Sequence, residues 1–273
     1  MHVDCLYRPR AVRISLQKDN VLMKKIPFTQ IRGSIAEYVR FATSPSRPFF
    51  STEINARELE LYRGGHEGIT YTPLLMKIIA AAARKYPLMN AIRARGFLKD
   101  SIVVPEEVDI CFAMEKTYGE ETFVAIPIIR DVQAKSIEAI ASEITTLSRL
   151  PYEQLPGIDL VFKFHRLPYR LKYSCLRLIC RSPRHFKTFF GTIGFSNLGR
   201  FGVQIASPTW INAVTFVIGS VTEKAGVVDG AIGRMPLLHI TMSFDHAIFD
   251  GAEAGRILSE VRDIIEKGNY ESL

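Results

Sequence analysis

Between Leu238 and Phe244 the chain alternates by side. Leu238, Ile240, Met242 and Phe244 are apolar, and His239, Thr241 and Ser243 between them are polar. A period of two over this length predicts a half-buried strand. Asp250-Gly251 closes the turn after it, and residues 252–266 then predict a helix. Residues 72–86 carry Leu75, Ile78, Ile79 and Ala82 at helical spacing. That helix opens on Thr72-Pro73, a capping residue with proline in the first turn. Further helices are predicted over 28–42, 56–64 and 136–148. Strands are predicted over 48–55, 96–104, 108–114, 121–129, 191–195 and 211–221, with 14–23 as an early strand or arm. Strands and helices are interspersed without an internal repeat, which predicts one mixed α/β layered domain. With 273 residues, 47% of them hydrophobic, the chain is long enough to bury a sizeable core.

Two stretches carry candidate chemistry. Phe244-Asp245-His246-Ala247-Ile248-Phe249-Asp250-Gly251 sets a histidine at the end of the predicted strand, four residues before an aspartate. A loop on a rigid scaffold can aim such a ring into a cleft, and imidazole is the usual general base toward a thiol, hydroxyl or amine. Alone, a histidine beside an aspartate more often belongs to a surface or a satisfied core. The second stretch, Gly191-Thr192-Ile193-Gly194-Phe195-Ser196-Asn197-Leu198-Gly199-Arg200-Phe201-Gly202, places glycines on both sides of Ser196. Glycine permits tight turns and close backbone approach. Ser196 reads either as a turn-capping residue or as a donor to a developing oxyanion.

Together the two stretches resemble the catalytic domain of the dihydrolipoyl acyltransferases of 2-oxo acid dehydrogenase complexes, whose fold is that of chloramphenicol acetyltransferase. The family patterns are Asp-His-Arg-x-x-Asp-Gly and Gly-Thr-Phe-Thr-Ile-Ser-Asn-Leu-Gly-x-Phe-Gly, and both align in register with this chain. Similarity continues through Thr72 to Lys77, Pro87 to Asn90, Val108-Asp109-Ile110 and Ile126 to Asp131, and covers roughly residues 26–150 and 190–267. The resemblance implies a two-layer mixed sheet flanked by helices, assembled as a homotrimer or a larger assembly of trimers. It implies CoA as the carrier of the acyl group, with no metal. His246 would be the general base that deprotonates the acceptor for attack on the thioester. Ser196 would stabilise the tetrahedral intermediate, with Asn197 beside it. Asp250, followed by Gly251, would organise the loop by charge pairing, and Arg40, aligned to within about a residue, is its candidate partner. His246 and Ser196 would come from different chains or facing sides of one interface. A thiol acceptor with a pKa near ~8.5 is mostly protonated at neutral pH, so an adjacent base matters. The acceptor stays open between a dihydrolipoyl group, a small amine or alcohol, and a carrier-bound thiol. A non-catalytic scaffold on the same fold and a thioester hydrolase are the alternatives.

The chain departs from the lipoyl-dependent pattern in three places. Ala247 stands where those enzymes have arginine, Arg47 where many have histidine, and Gly194 where a larger residue is usual. No candidate lipoylation sequence or low-complexity linker is present. Residues 1–273 therefore read as a single free-standing catalytic domain with an N-terminal arm over 1–25, and without a lipoyl group or a peripheral-subunit-binding domain. Residues 157–190 read as an insertion, and it concentrates the charge. Overall the chain carries a formal +7. Lys163, Arg166, Arg170, Lys172, Arg177, Arg181, Arg184 and Lys187 fall within 163–187, and no acidic residue occurs between Asp159 and Glu223. Residues 168–181 predict an amphipathic basic helix. It reads as a solvated helix packed on its own assembly, as a basic wall near the CoA phosphates, or as a contact to a membrane or carrier-protein surface. Nucleic acid is disfavoured, because the interleaved aromatics occupy packing positions and no nucleic-acid motif is present. The charged first 20 residues exclude a secretory signal there, and no apolar run reaches the ~18–20 residues of a membrane span. Cys5, Cys111, Cys175 and Cys180 lack metal-ligand spacing. Reduced thiols and a cytoplasmic location are expected.

Overall fold

The structure is a computed structural model that describes residues 14–16, 22–24, 29–43, 47–94, 100–228 and 230–273. A short hairpin, β1 (Ile14–Leu16) and β2 (Leu22–Lys24), is followed by α1 (Gln30–Ala42), β3 (Phe49–Asn55), α2 (Arg57–Gly65) and α3 (Tyr71–Lys85). Next come β4 (Ile92–Ala94), β5 (Ser101–Val103), β6 (Ile110–Phe112), β7 (Met114–Tyr118), β8 (Glu121–Ala125), β9 (Ile128–Ile129) and α4 (Ile137–Arg149). The chain closes with α5 (Ile158–Arg166), α6 (Tyr169–Ile179), α7 (Pro183–Phe190), β10 (Ile193–Asn197), β11 (Val214–Val228), β12 (Ala231–Phe244) and α8 (Gly251–Lys267).

The central sheet has six strands in the order β3-β12-β11-β10-β6-β9. It is mixed, because β10 runs parallel to both β11 and β6 while the other pairs are antiparallel. Strand periodicity splits its residues between two faces. Ile193, Phe195, Val214, Phe216, Ile240, Met242 and Phe244 are all buried in one core with α3 and α8. The in-register rows of the other face are Gly194–Thr215–Ser243 and Ser196–Val217–Thr241–Ser51. Small and hydroxyl residues thus dominate the middle of that face around Val217, with Cys111 and Phe49 flanking the first row. Among them, the buried Thr215 and Ser243 hydroxyls have no hydrogen-bond partner among the described residues.

The predicted mixed α/β layering is observed, and its boundaries differ for physical reasons. The predicted strand 121–129 is two elements, because Pro127 cannot donate to a ladder. β8 pairs with β7, and β9 forms the edge of the main sheet. α3 begins at Tyr71 rather than at a Thr72 cap, and the Thr72 hydroxyl instead accepts from Asn197 Nδ2 at 3.1 Å. β11 and β12 extend well beyond the predicted strands into a hairpin paired down to Val228 and Ala231. Residues 95–99, which include the start of the predicted strand 96–104, and most of the N-terminal arm lie outside the described residues.

The helix predicted over 168–181 is α6, and it is flanked within the basic segment by two further short helices, α5 and α7. Pro168 caps the start of α6 and Pro183 occupies the first turn of α7, where proline is tolerated because no helical N–H is lost. These helices form a second apolar cluster on α1, made of Phe41, Ile92, Leu176, Cys180 and Phe186. A buried polar network ties them down. His165 Nδ1 lies 2.8 Å from Ser34 Oγ and Nε2 lies 3.1 Å from the Tyr152 hydroxyl, while Lys172 Nζ donates to Ser34 Oγ at 2.8 Å.

Burial pushes the His165 imidazole down to about 4, and the nearby Lys172 ammonium adds to the effect. Below pH 6.5 the unfolded chain protonates this histidine while the folded chain stays neutral down to about 4. The unfolded state then holds more protons, so stability falls as the pH drops through that window. The urea midpoint of the protein should fall on acidification from neutral pH, and His165→Gln, which keeps hydrogen-bonding groups but cannot titrate, should fall less. Equal pH dependence in both proteins would contradict this account of the network.

Candidate active site

β12 ends at Phe244, and the next residue decides where His246 goes. Asp245 continues the ladder by one bond, from its N–H to the Ala213 carbonyl at 2.9 Å. Its own carbonyl then accepts from Ile248 and Phe249, and its carboxylate accepts from the Ala247 N–H at 3.0 Å. The turn carrying His246 is thus wound around Asp245. That carboxylate is 4% exposed and sits between two guanidinium groups, Arg47 at 3.8 Å and Arg93 at 3.6 Å. These are charge contacts, longer than hydrogen bonds. Arg47 is itself fixed by donating to the Ile211 and Asn212 carbonyls. A small cavity of about 20 Å³ lies here, lined by both arginines, Asp245 and the Cys180 and Phe186 side chains of the inserted helices.

Below the turn, the Phe244 ring packs on Phe50 and Phe249 and lies 5.9 Å from the His246 ring. His246 is exposed on the protomer surface. The turn ends at Asp250, whose carboxylate caps α8 by accepting the Glu253 N–H at 2.8 Å. With Gly251 as its first residue, α8 starts immediately after the loop, so the loop is anchored at both ends.

Ser196 projects from β10 on the polar face and is 8% exposed. Its hydroxyl makes no hydrogen bond to any described residue, which leaves it available as a donor. Asn197 shapes the turn behind it by accepting the Gly199 N–H at 3.0 Å and donating to Thr72. Two glycines are required by close approach. A Cβ on Gly194 would lie 2.6 Å from both the Thr215 hydroxyl and the Trp210 ring, and one on Gly199 would lie 2.7 Å from the Gly219 carbonyl. Gly194 thus makes room for Trp210 on the polar face.

The structure brings His246, Asp250 and Gly251 together at the turn that leads into α8, and Ser196 and Asn197 together at the end of β10. It does not bring His246 to Ser196 within a protomer. Ser196 is in register with Thr241 across β11. β12 runs three residues past Thr241 and His246 lies two residues beyond its end, so ~10 Å of strand rise and two inter-strand spacings of about 4.8 Å lie between the two. The expected Arg40–Asp250 pair is also absent. Arg40 reaches Glu37 at 3.6 Å and stacks over the Tyr173 ring at 4.9 Å, because the inserted α6 occupies that side of α1. Asp250 organises the loop as a helix cap instead. The charge clamp falls to Asp245, Arg47 and Arg93. Asp245 and Arg47 were visible as the residue before the histidine and as a departure from the family pattern, whereas Arg93 had no sequence signal. Among the described residues, no group of three His, Cys, Asp or Glu side chains could hold a metal ion.

A family model for 2-oxoacid dehydrogenases acyltransferase (catalytic domain) matches residues 22–154 and 184–273. The chain belongs to this family. The unmatched residues 155–183 contain α5 and α6. A lipoamide acyltransferase component of the branched-chain alpha-keto acid dehydrogenase complex from Bacillus subtilis is 25% identical over 258 residues, 89% of this chain and 52% of that protein. The chain thus spans about half the length of the curated relatives it matches. The fold is shared with a probable dihydrolipoamide acetyltransferase from Listeria monocytogenes, with TM-score 0.66 and 22% identity over 90% of this chain and 95% of the other. It is shared equally with the dihydrolipoamide acetyltransferase of Azotobacter vinelandii, with TM-score 0.66 and 18% identity over 89% of this chain and 91% of the other. The latter was solved to examine a serine, a histidine and an asparagine in its catalytic mechanism.

Removing one partner of a buried charge cluster leaves the others uncompensated. Asp245→Asn should therefore cost about 3 kcal/mol of folding stability. Arg262→Ala, at an exposed side chain beside the half-exposed Asp263, should change it by less than about 0.5 kcal/mol. Urea titrations in which Asp245→Asn cost no more than Arg262→Ala would contradict the charge clamp.

Proposed function

We propose that this chain is a CoA-dependent acyltransferase, with His246 as general base and Ser196 as oxyanion donor, working at a site shared between neighbouring copies of a trimer. The observation that carries the reading is the pair of incomplete half-sites on one protomer. One is a histidine held rigidly by Asp245 and Asp250 and turned to solvent. The other is a serine hydroxyl without a partner on a polar sheet face. Neither half completes the other within the protomer, and a base and an oxyanion donor must both lie within hydrogen-bond reach of the reacting atoms.

In this reading His246 takes the proton from the acceptor as its heteroatom attacks the thioester carbonyl. The resulting oxyanion accepts a hydrogen bond from Ser196, and collapse expels CoA as the thiol. A CoA thioester is already activated, so base and oxyanion donor suffice. Family membership favours a dihydrolipoyl-type thiol as acceptor. The asparagine named for the Azotobacter enzyme lies four residues after its histidine, the spacing that separates His246 from Asp250. That match supports placing Asp250 in the site.

The test follows release of free CoA from a panel of acyl-CoAs, with dihydrolipoamide, simple amines and simple alcohols as acceptors. Acceptor-dependent release should fall about 10²–10⁴-fold in His246→Ala and about 10²–10³-fold in Ser196→Ala. Release without any acceptor would indicate a hydrolase. A folded wild type that is inert with every pair would favour a scaffold.

A further inference from the structure

α6 is amphipathic in an unusual sense, because its outer face is itself divided. Lys172, Leu176 and Cys180 at its inner side are buried against α1. At about 100° per residue, Arg170 and Arg177 superimpose as one stripe along the exposed side, and the exposed Arg181 follows in the turn after the helix. Leu171 and Leu178 form a second stripe roughly 90° away. Leu171 is 53% exposed and Leu178 62% exposed. Among the described residues, Arg170, Arg177 and Arg181 have no ion-pair partner, and no acidic residue follows them before Glu223.

A solvated helix has no physical use for two large exposed leucines two turns apart. A two-fold contact with a second copy through this face would set arginine against arginine, and in a trimer this face is taken to lie outside the interface that carries the active site. A small anionic ligand would engage the arginines and leave the leucines in water. Adjacent cationic and apolar stripes match the boundary between anionic headgroups and acyl chains, where a surface helix buries its leucines while its arginines stay at headgroup level.

We propose that the outer face of α6 docks the protein on an anionic phospholipid bilayer surface. The helix lies in the surface plane, and Leu171 and Leu178 enter the headgroup region between phosphates bound by Arg170, Arg177 and Arg181. Such binding is peripheral and reversible. It adds to the acyltransfer reading without depending on it, because none of these residues belongs to the His246 or Ser196 half-sites.

The experiment is co-sedimentation of the full chain with phosphatidylcholine vesicles, with and without phosphatidylglycerol. Wild type should bind the anionic vesicles, release in high salt, and ignore pure phosphatidylcholine. Arg170→Gln with Arg177→Gln should weaken binding roughly 30-fold. Leu171→Ser with Leu178→Ser should weaken it about tenfold. Circular dichroism and size-exclusion profiles matching wild type establish that the variants are folded, and an unchanged acyltransfer rate separates this outcome from failure of the active-site reading. Equal binding to both vesicle types, or variants that bind like wild type, would overturn the proposal. Displacement of vesicles by free CoA would reassign the arginines to the substrate. Retention on polyglutamate without binding to vesicles would assign the face to an acidic protein, and so would also overturn it.

Discussion

A carboxylate that is 4% exposed between two guanidinium groups is the constraint on which the candidate site depends. Burying an aspartate without compensating charge costs several kcal/mol, so Arg47 and Arg93 must stay where they are. Arg47 comes from the approach to β3 and is pinned by the Ile211 and Asn212 carbonyls. Arg93 comes from β4 and also pairs with Asp100 at 2.7 Å. Three separate segments therefore converge on Asp245, whose backbone and side chain shape the turn that presents His246. The Asp250 cap closes the same loop from its other end. A general base must be held without locking its own ring, and this arrangement places every restraint on the neighbours of His246.

The inserted helices bear on that cluster indirectly. Their apolar side chains pack with Phe41 of α1 and Ile92 of β4, and Ile211 packs at the edge of the same cluster. Ile92 precedes Arg93 in the chain, and Ile211 carries one of the carbonyls that hold Arg47. The insertion thus supports the two arginines from behind while presenting its basic face outward. Its attachment runs through buried His165, Lys172 and Ser34, where each polar group has a partner. Satisfied buried networks fix one arrangement among many apolar alternatives.

Much of this was legible in the sequence. The alternation over Leu238 to Phe244 located β12, and the two motifs located His246, Asp250 and Ser196, because both depend on local spacing. The extension of the β11–β12 hairpin was not legible. Its arms are largely exposed, with Val227 72% and Ile232 86% exposed, and hydrophobic alternation reports burial rather than strand geometry. The pairing of Asp245 with Arg47 and Arg93 was hidden for another reason. It joins residues far apart in the chain, and charge complementarity leaves no periodic trace. Arg40 was misplaced because the inserted α6, with Tyr173 on its inner side, draws that guanidinium away from the loop.

The central claim is that His246 of one chain serves Ser196 of another. His246→Ala and Ser196→Ala proteins, each inactive alone, would be unfolded together, refolded as a mixture, and assayed for acceptor-dependent CoA release. The account predicts that the mixture regains part of the wild-type rate, because some interfaces then combine an intact histidine with an intact serine. A mixture that assembles like wild type yet stays as inactive as its components would contradict it, and would place both residues of each working site in a single chain.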